Sequence, residues 1–337
     1  MTLDRGQLEN ILERLPSLTV GLIGDLFLDR YFEIDPDRTE VSIETGLDAY
    51  QVVRVRNQPG ALGTVMNNLA ALGVGRLVPI TVIGEDGLGD DLIRALRSMP
   101  VEKTGILRSD TRLTPTYLKP LVMESDQPPR ELNRLDVRSR EPLSPKWRRR
   151  VSEELSRRFA EGDGWIVLDQ IDQRDEGVLH AEVREALGNE ARRHPEIPVI
   201  IDSRKHLGAY AYGSLKGNEH EFRLASGCDD VEEAVRRLGK RTGRPAFATC
   251  GARGICVAES DERVAWVPAR PVTGPIDIVG AGDSATAALL CAILSGVDAR
   301  TAAAFANLVA SITIRQLGTT GTATPAQIRR EWESAAV

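Results

Sequence analysis

The chain has few of the features that would mark a secreted, membrane-spanning or nucleic-acid-binding protein. Its 337 residues include four cysteines (Cys228, Cys250, Cys256 and Cys291), with no CxxC pair and no zinc-type spacing to the four histidines. Three of them sit in apolar stretches, where a cysteine packs as a small hydrophobe. That usage fits a reducing compartment and excludes a disulfide framework. Basic excess is also missing: the formal net charge is -6, whereas a general nucleic-acid binder needs a strongly basic face. The balance still leaves room for a local cationic patch around an anionic substrate. The longest apolar run, residues 285–294, is about half of what spans a bilayer. Residues 1–15 mix acidic and polar side chains and lack the apolar core of a signal peptide. No GxxxxGK[S/T] run occurs, which excludes a P-loop, and there is no low-complexity tract or internal repeat. A cytoplasmic globular protein with no membrane and no nucleic-acid partner is expected.

What is present is ordinary in amount and regular in order. Hydrophobic residues make up 42% and charged residues 27%, enough for a large core in one α/β domain spanning residues 1–337. Apolar strand candidates at 18–23, 78–83, 165–168, 198–202 and 247–250 are interleaved with helical stretches at 61–72, 90–98, 178–193 and 230–242. Strands that are apolar throughout and separated by helices predict a parallel sheet covered on both faces. Ser144-Pro145 reads as a helix start with proline in the first position. Behind it Trp147, Val151, Leu155 and Phe159 fall four apart on one face, and Arg148, Arg149, Arg150, Arg157 and Arg158 read as a solvated one. Two segments break the rhythm. Residues 31–58 and 112–137 are rich in Thr, Val, Tyr and Arg and predict a small β layer beside the main domain, a lid. The expected architecture is therefore three-layer α/β/α with a mainly parallel sheet and a β lid, with its site at the carboxyl ends of the strands.

The stretch DIVGAGDSATAALLCAILSG (277–296) carries the most chemistry. Gly280-Ala281-Gly282 can turn tightly and opens a helix that is apolar on nearly every side. A glycine turn of this kind presents free N–H groups at the positive end of a helix dipole, which suits phosphate or a phosphoryl group in transfer. Asp283 at its mouth would repel a passive phosphate but suits a base taking a proton from an attacking hydroxyl. Two readings compete here: a GxGxxA dinucleotide fingerprint, opposed by the proline- and glycine-broken PARPVTGPIDI before it, and a helix cap without chemistry. Thr249-x-Gly251-x-x-Gly254 joins two strand candidates and lets a ligand approach the backbone. Lys216 precedes Asn218 and Glu221, a pair able to hold hydrated Mg²⁺ or simply to cap a helix.

Taken together, these pieces resemble the ribokinase (PfkB) family of carbohydrate kinases over about residues 19–332. In that likeness GAGD (280–283) matches the family's C-terminal signature, with Asp283 as catalytic base and the glycine turn as anion hole. Asn218-x-x-Glu221 matches its magnesium motif, and Lys216 and Thr249, Gly251 and Gly254 its nucleotide loops. Asn307 and Gly318 fall in the segment lining the adenine and monovalent-cation sites, and Asp277 would lie near a potassium ion. The resemblance implies ATP and Mg²⁺ as cofactors, K⁺ beside Asp277, and a homodimer formed through the lid. Within the family the chain looks like the kinase domain of bifunctional heptose 7-phosphate kinase/adenylyltransferases. The carriers are Gly24-Asp25-x-x-Leu28-Asp29-Arg30-Tyr31, Asn133-Arg134-Leu135-Asp136 and residues 305–325. With Val337 as the last residue, no adenylyltransferase domain is expected to follow. By the same likeness Asp25, Asp29, Gly60, Gly63 and Arg134 would contact a sugar or sugar phosphate.

The acceptor half departs from the pattern. The sugar signature GGAxN reads Pro59-Gly60-Ala61-Leu62-Gly63 here, so the asparagine that would meet sugar hydroxyls is Gly63. The lysine-bearing DYGKG run is replaced by Asp169-Gln170-Ile171-Asp172-Gln173-Arg174. A phosphate on the acceptor would then need Arg174 or Arg204. The sequence thus supports a sugar kinase with an unspecified acceptor, against a catalytically silent nucleotide- or sugar-binding descendant of one.

Overall fold

A computed structural model describes residues 3–124, 127–259 and 263–334. Its first half supplies strands β1 (Thr19–Gly24), β2 (Leu26–Val41), β3 (Asp48–Ala61), β4 (Arg76–Gly84), β5 (Ile106–Ser109), β6 (Thr116–Val122), β7 (Arg130–Glu131) and β8 (Leu135–Val137). The second half adds β9 (Gly164–Asp169), β10 (Val199–Ser203), β11 (Ser214–Asn218), β12 (Ala246–Thr249), β13 (Ile255–Ala258) and β14 (Val264–Val267). One sheet runs in the order β14-β13-β12-β11-β10-β9-β1-β4-β5. It is parallel from β5 to β12 and closes with an antiparallel β12-β13-β14 edge.

The apolar strands demand cover on both faces, and they have it. On β9, Ile166 and Leu168 face the layer containing helices Ala281–Leu294 and Ala299–Thr313, while Trp165 and Val167 face the layer containing Pro145–Arg158 and Ala181–Arg193. This is the period of two that a strand imposes. The Trp165 ring stacks on Phe159, with centroids 5.3 Å apart, and its Nε1 donates to the Phe159 carbonyl at 2.9 Å.

A second sheet of β3-β2-β6-β7, with β8 also on β6, stands beside the first. β2 and β3 form a long antiparallel hairpin, and β2 and β6 run parallel. Only Asp25 separates β1 from β2, so that one residue joins the main sheet to the lid. Among the described residues no helix is long and apolar enough to cross a membrane. All four cysteines are free thiols, and Cys256 and Cys291 are buried.

The helix Pro145–Arg158 buries Trp147, Val151 and Leu155 as their spacing requires. Arg158, expected on the solvated face, is instead 3% exposed. It donates to Glu102 at 2.6 Å, to Thr104 at 2.6 Å and to Glu154. These hydrogen bonds to Glu102, from Thr104 first and then from Arg76 and Arg158, hold its carboxyl down at about 2. A buried guanidinium with this many acceptors is structural. Replacing Arg158 by Met leaves those carboxylates without their buried partner and should cost about 3 kcal/mol at pH 7, read as a lower urea midpoint at unchanged m. Glu102's contribution is present above the unfolded carboxylate range and lost as pH falls through about 2. The deficit of the variant should therefore shrink on acidification.

Candidate active site

A cleft of about 850 Å³ opens at the carboxyl ends of β10, β11 and β12, lined among others by Asp202, Lys216, Asn218, Glu221, Thr249 and Asp283. The helix Ala281–Leu294 begins at its floor. Gly280 takes φ +80° as N-cap, a left-handed turn that a side chain would strain. The Ala281 N–H donates to the Ile278 carbonyl at 3.1 Å, and that of Ser284 to Gly280 at 2.9 Å. Of the Gly280–Gly282 turn, expected as an anion hole, the Ala281 N–H is thus already satisfied. Among the described residues, the N–H groups of Gly282 and Asp283 are the first-turn donors without a partner.

Beneath this turn lies a buried polar junction that sequence reading missed. Lys216 Nζ and Thr286 Oγ1 both donate to Asp202 Oδ2 at 2.7 Å, tying β10, β11 and the helix together. Burial works to lower the Lys216 pKa, but the Asp202 charge and hydrogen bond outweigh it and raise it. The ammonium also lies against the glycine turn, 3.1 Å from where a Cβ on Gly282 would stand. Asp283, in turn, is pushed up to about 7, first by burial and then by the charge of Asp202, with Lys216 and Arg204 pulling the other way. A carboxyl that titrates near neutrality beside two free N–H groups can take a proton from a hydroxyl while those donors hold an anion.

Asn218 and Glu221 form a reciprocal capping box on helix Glu219–Ser226: Glu221 N donates to Asn218 Oδ1 at 2.9 Å, and Asn218 N to Glu221 Oε2 at 2.6 Å. The helix-cap reading of this pair is therefore fulfilled, and its metal reading is a separate matter. Burial first, and Asp202 after it, raise the Glu221 pKa. A divalent cation would relieve that crowding of carboxylates. Among the described residues no three acidic, His or Cys side chains are close enough to hold an ion directly, so Mg²⁺ here would keep most of its water, as it commonly does.

The other nucleotide-side residues divide. Thr249 lines the cleft with Oγ1 donating to the Gly217 carbonyl at 3.2 Å, and Gly251 and Gly254 line it on the turn that follows. Asn307 also lines it, although its Nδ2 donates to the carbonyls of Val267 and Pro268. Gly318 is not on the cleft wall: its N–H donates at 3.0 Å to Asp277 Oδ2, while Asp277 Oδ1 accepts from Val279 N. These two residues lock the loop before the glycine turn to the loop after helix Ala299–Thr313. β14 ends at Val267, so no strand feeds the glycine turn directly, which removes the structural context of a dinucleotide fingerprint.

On the acceptor side Asp25 is 5% exposed, with Oδ1 accepting from Val178 N at 2.9 Å and Oδ2 buried with no partner among the described residues. Burial, against the Val178 hydrogen bond, pushes its carboxyl up to about 7. Asp29 faces Lys119 Nζ at 3.3 Å, and burial outweighs this loose pair and raises its pKa. Gly60 leaves room for that carboxyl, 3.0 Å from where its Cβ would be. Arg134 lies 4.0 Å over the Tyr117 ring and grips Asp136 with two hydrogen bonds. Gly63 is buried in helix Leu62–Leu72, and a Cβ there would stand 2.3 Å from Pro59 Cβ. Asp202 could have been found by its place at the end of an apolar strand, like Asp25; Thr286 and Lys119 carried no such signal.

A model of the pfkB family of carbohydrate kinases matches residues 191–327. Proteins named bifunctional protein HldE match nearly the whole chain: that of Pelobacter propionicus is 32% identical over 336 residues, covering 97% of this chain. That of Trichlorobacter lovleyi is 30% identical over 339 residues, again with 97% covered. The chain spans only 65% of the length of either relative. Among solved structures, phosphofructokinase-2 of Escherichia coli with potassium superposes at a TM-score of 0.74, with 17% identity, covering 95% of this chain and 100% of that one. Ribokinase of Arabidopsis thaliana with ribose and ATP gives 0.66 at 17% identity, covering 93% and 98%. At that identity the likeness establishes the ribokinase-like fold.

The raised Asp25 pKa predicts a pH-dependent stability. Its contribution is full below the ordinary carboxylate range and lost as pH rises through about 7. Asp25→Asn should therefore melt a few degrees above the parent at pH 8, with a smaller gap at pH 5 that closes only below the ordinary carboxylate range, by scanning calorimetry. Equal melting points at both pH values would show that Asp25 is not a buried, unpaired acid.

Proposed function

Because the chain belongs to the pfkB family of carbohydrate kinases, we propose that it moves the γ-phosphoryl group of ATP onto a hydroxyl of a sugar or sugar phosphate. The observation that carries this is Asp283: a carboxyl held near neutrality at the start of a buried helix, beside two free N–H groups, in a cleft of nucleotide size. Asp283 accepts the hydroxyl proton. The N–H groups of Gly282 and Asp283 and the ammonium of Lys216 face the charge that develops on the transferring group. Asp202 and Thr286 keep that ammonium in place. Asn218 and Glu221 would hold hydrated Mg²⁺, which supplies charge neutralisation on the nucleotide phosphates when bound. A potassium ion beside Asp277 belongs to the same proposal. The sugar lies under the lid between Asp29 and Asp283, whose charges already act on one another.

A silent nucleotide-binding protein is the competing reading, and the Pro59–Gly63 packing favours it, because the amide of the sugar signature has no place there. A panel of free pentoses, hexoses and heptoses and their terminal phosphates, with ATP and Mg²⁺, separates the two. A silent protein binds ATP and consumes none with any acceptor. The kinase reading expects ADP release with at least one. It also expects an acid limb in kcat/KM near pH 7, because the base form of Asp283 is lost below its pKa. Asp283→Asn should lower kcat by about 10²–10⁴-fold.

The lid also supports a homodimer. Its β2–β3 hairpin exposes Val41, Ile43, Leu47, Val53 and Val55, with Ile43 fully open to solvent. Clustered exposed apolar side chains on a sheet mark an interface, and a second lid would cover them. Ile43→Glu with Val53→Glu should convert a dimer to a monomer in light scattering; a monomeric parent refutes the proposal.

A further inference from the structure

Three cations line the cleft: Lys216, Arg270 and Arg204. They are not equivalent. Lys216 is 4% exposed and bound to Asp202 at 2.7 Å, so most of its charge is balanced before any nucleotide arrives. Arg270 donates to the Glu331 carbonyl at 2.8 Å. It neighbours in sequence the apolar lining residues Ala269, Pro271 and Val272. Arg204 is different. It follows β10 directly, its N–H anchored to the Asp169 carbonyl at 3.1 Å, and its side chain is exposed. Among the described residues its guanidinium has no hydrogen-bond or ion-pair partner.

Its surroundings locate it further. The Arg204 charge acts on Asp283, on Glu221 and on Tyr117 of β6. The first is the proposed base, the second the nucleotide-side carboxylate, and the third is on the lid. A guanidinium on the wall that also carries Asp283 and Glu221, its charge acting on the lid's Tyr117 as well, stands between the nucleotide side and the lid. The acceptor side has cations of its own in Lys119, paired with Asp29, and Arg134, stacked on Tyr117. A phosphate carried by the acceptor is therefore not the group that lacks a partner. The group short of positive charge is the phosphoryl in flight, which meets the carboxylates Asp202, Glu221 and Asp283 on its protein side and has, besides two N–H groups, only an ammonium already bound to Asp202.

We propose that Arg204 is a catalytic residue that donates to an equatorial oxygen of the transferring phosphoryl group. This rests on the kinase reading above. In the step, the acceptor oxygen bonds to the γ-phosphorus as the bond from that phosphorus to the β,γ-bridging oxygen breaks. The hydroxyl proton passes to Asp283 and ADP leaves with the bonding pair. Negative charge spreads over the equatorial oxygens, where a planar guanidinium that carries no other hydrogen bond is most effective.

The test uses the full chain, ATP, Mg²⁺ and whichever acceptor of the sugar panel turns over fastest. Arg204→Met should lower kcat by about 10²–10³-fold, the scale of one lost transition-state donor, with KM for ATP and acceptor little changed. Arg204→Lys should recover part of that loss. The acid limb of the pH–rate profile should move to higher pH in Arg204→Met, because a cation that lowers the Asp283 pKa is gone. A normal kcat with a raised acceptor KM would assign Arg204 to ground-state binding and overturn the proposal. A normal kcat and an unmoved acid limb would overturn it too. A parent chain inert on every acceptor would instead overturn the kinase reading itself, and this inference with it.

Discussion

The contact of Lys216 and Thr286 with a single oxygen of Asp202 decides where the helix Ala281–Leu294 starts relative to the strand ends. Core packing holds the helix against the sheet, and this contact pins its first turn to β10 and β11. Three buried polar groups at one point are tolerable only because each satisfies another. The same concentration of charge then shapes the neighbours. Asp202 is the second cause, after burial, of the raised Asp283 pKa, and it also raises Glu221. The scaffold and the chemistry therefore share an ion pair: the group that places the helix also brings its aspartate to the threshold of protonation.

The donor half was legible in the sequence because it is local. A glycine turn opening an apolar helix, an aspartate on its first turn and a strand-end loop with two glycines can each be read within ten or so residues, and the structure brings them to one cleft. What the sequence could not give was any arrangement that depends on distant partners. Arg158 read as one solvated arginine among five, yet it finds Glu102 across 56 positions and is buried. The Ala281 N–H looked available until Ile278 was seen to take it. Gly318 fell in the right stretch of chain, but its N–H turned to Asp277 instead of the cleft. In each case a hydrogen-bond partner, invisible to spacing, decided the outcome.

The acceptor half was harder for a different reason. Its residues come from β1's end, two lid strands and the loop near Val178, so no single segment carries a signature. Asp25 shows the consequence: it is both the joint between the two sheets and an acid with an unpartnered oxygen. Such a group lowers stability at neutral pH, and structures retain that kind of strain chiefly where a ligand supplies the missing partner. Asp29 follows four residues on in β2, so the two acids stand where the main sheet passes into the lid.

Pro59 and Gly63 also restrict how this protein can change. A Cβ at 63 would stand 2.3 Å from Pro59 Cβ, an atom that every residue but glycine carries, so a side chain at 63 is blocked while 59 is anything but glycine. Exchange of Pro59 for glycine removes that atom. The two positions form an ordered path in which glycine at 59 must come before any side chain at 63.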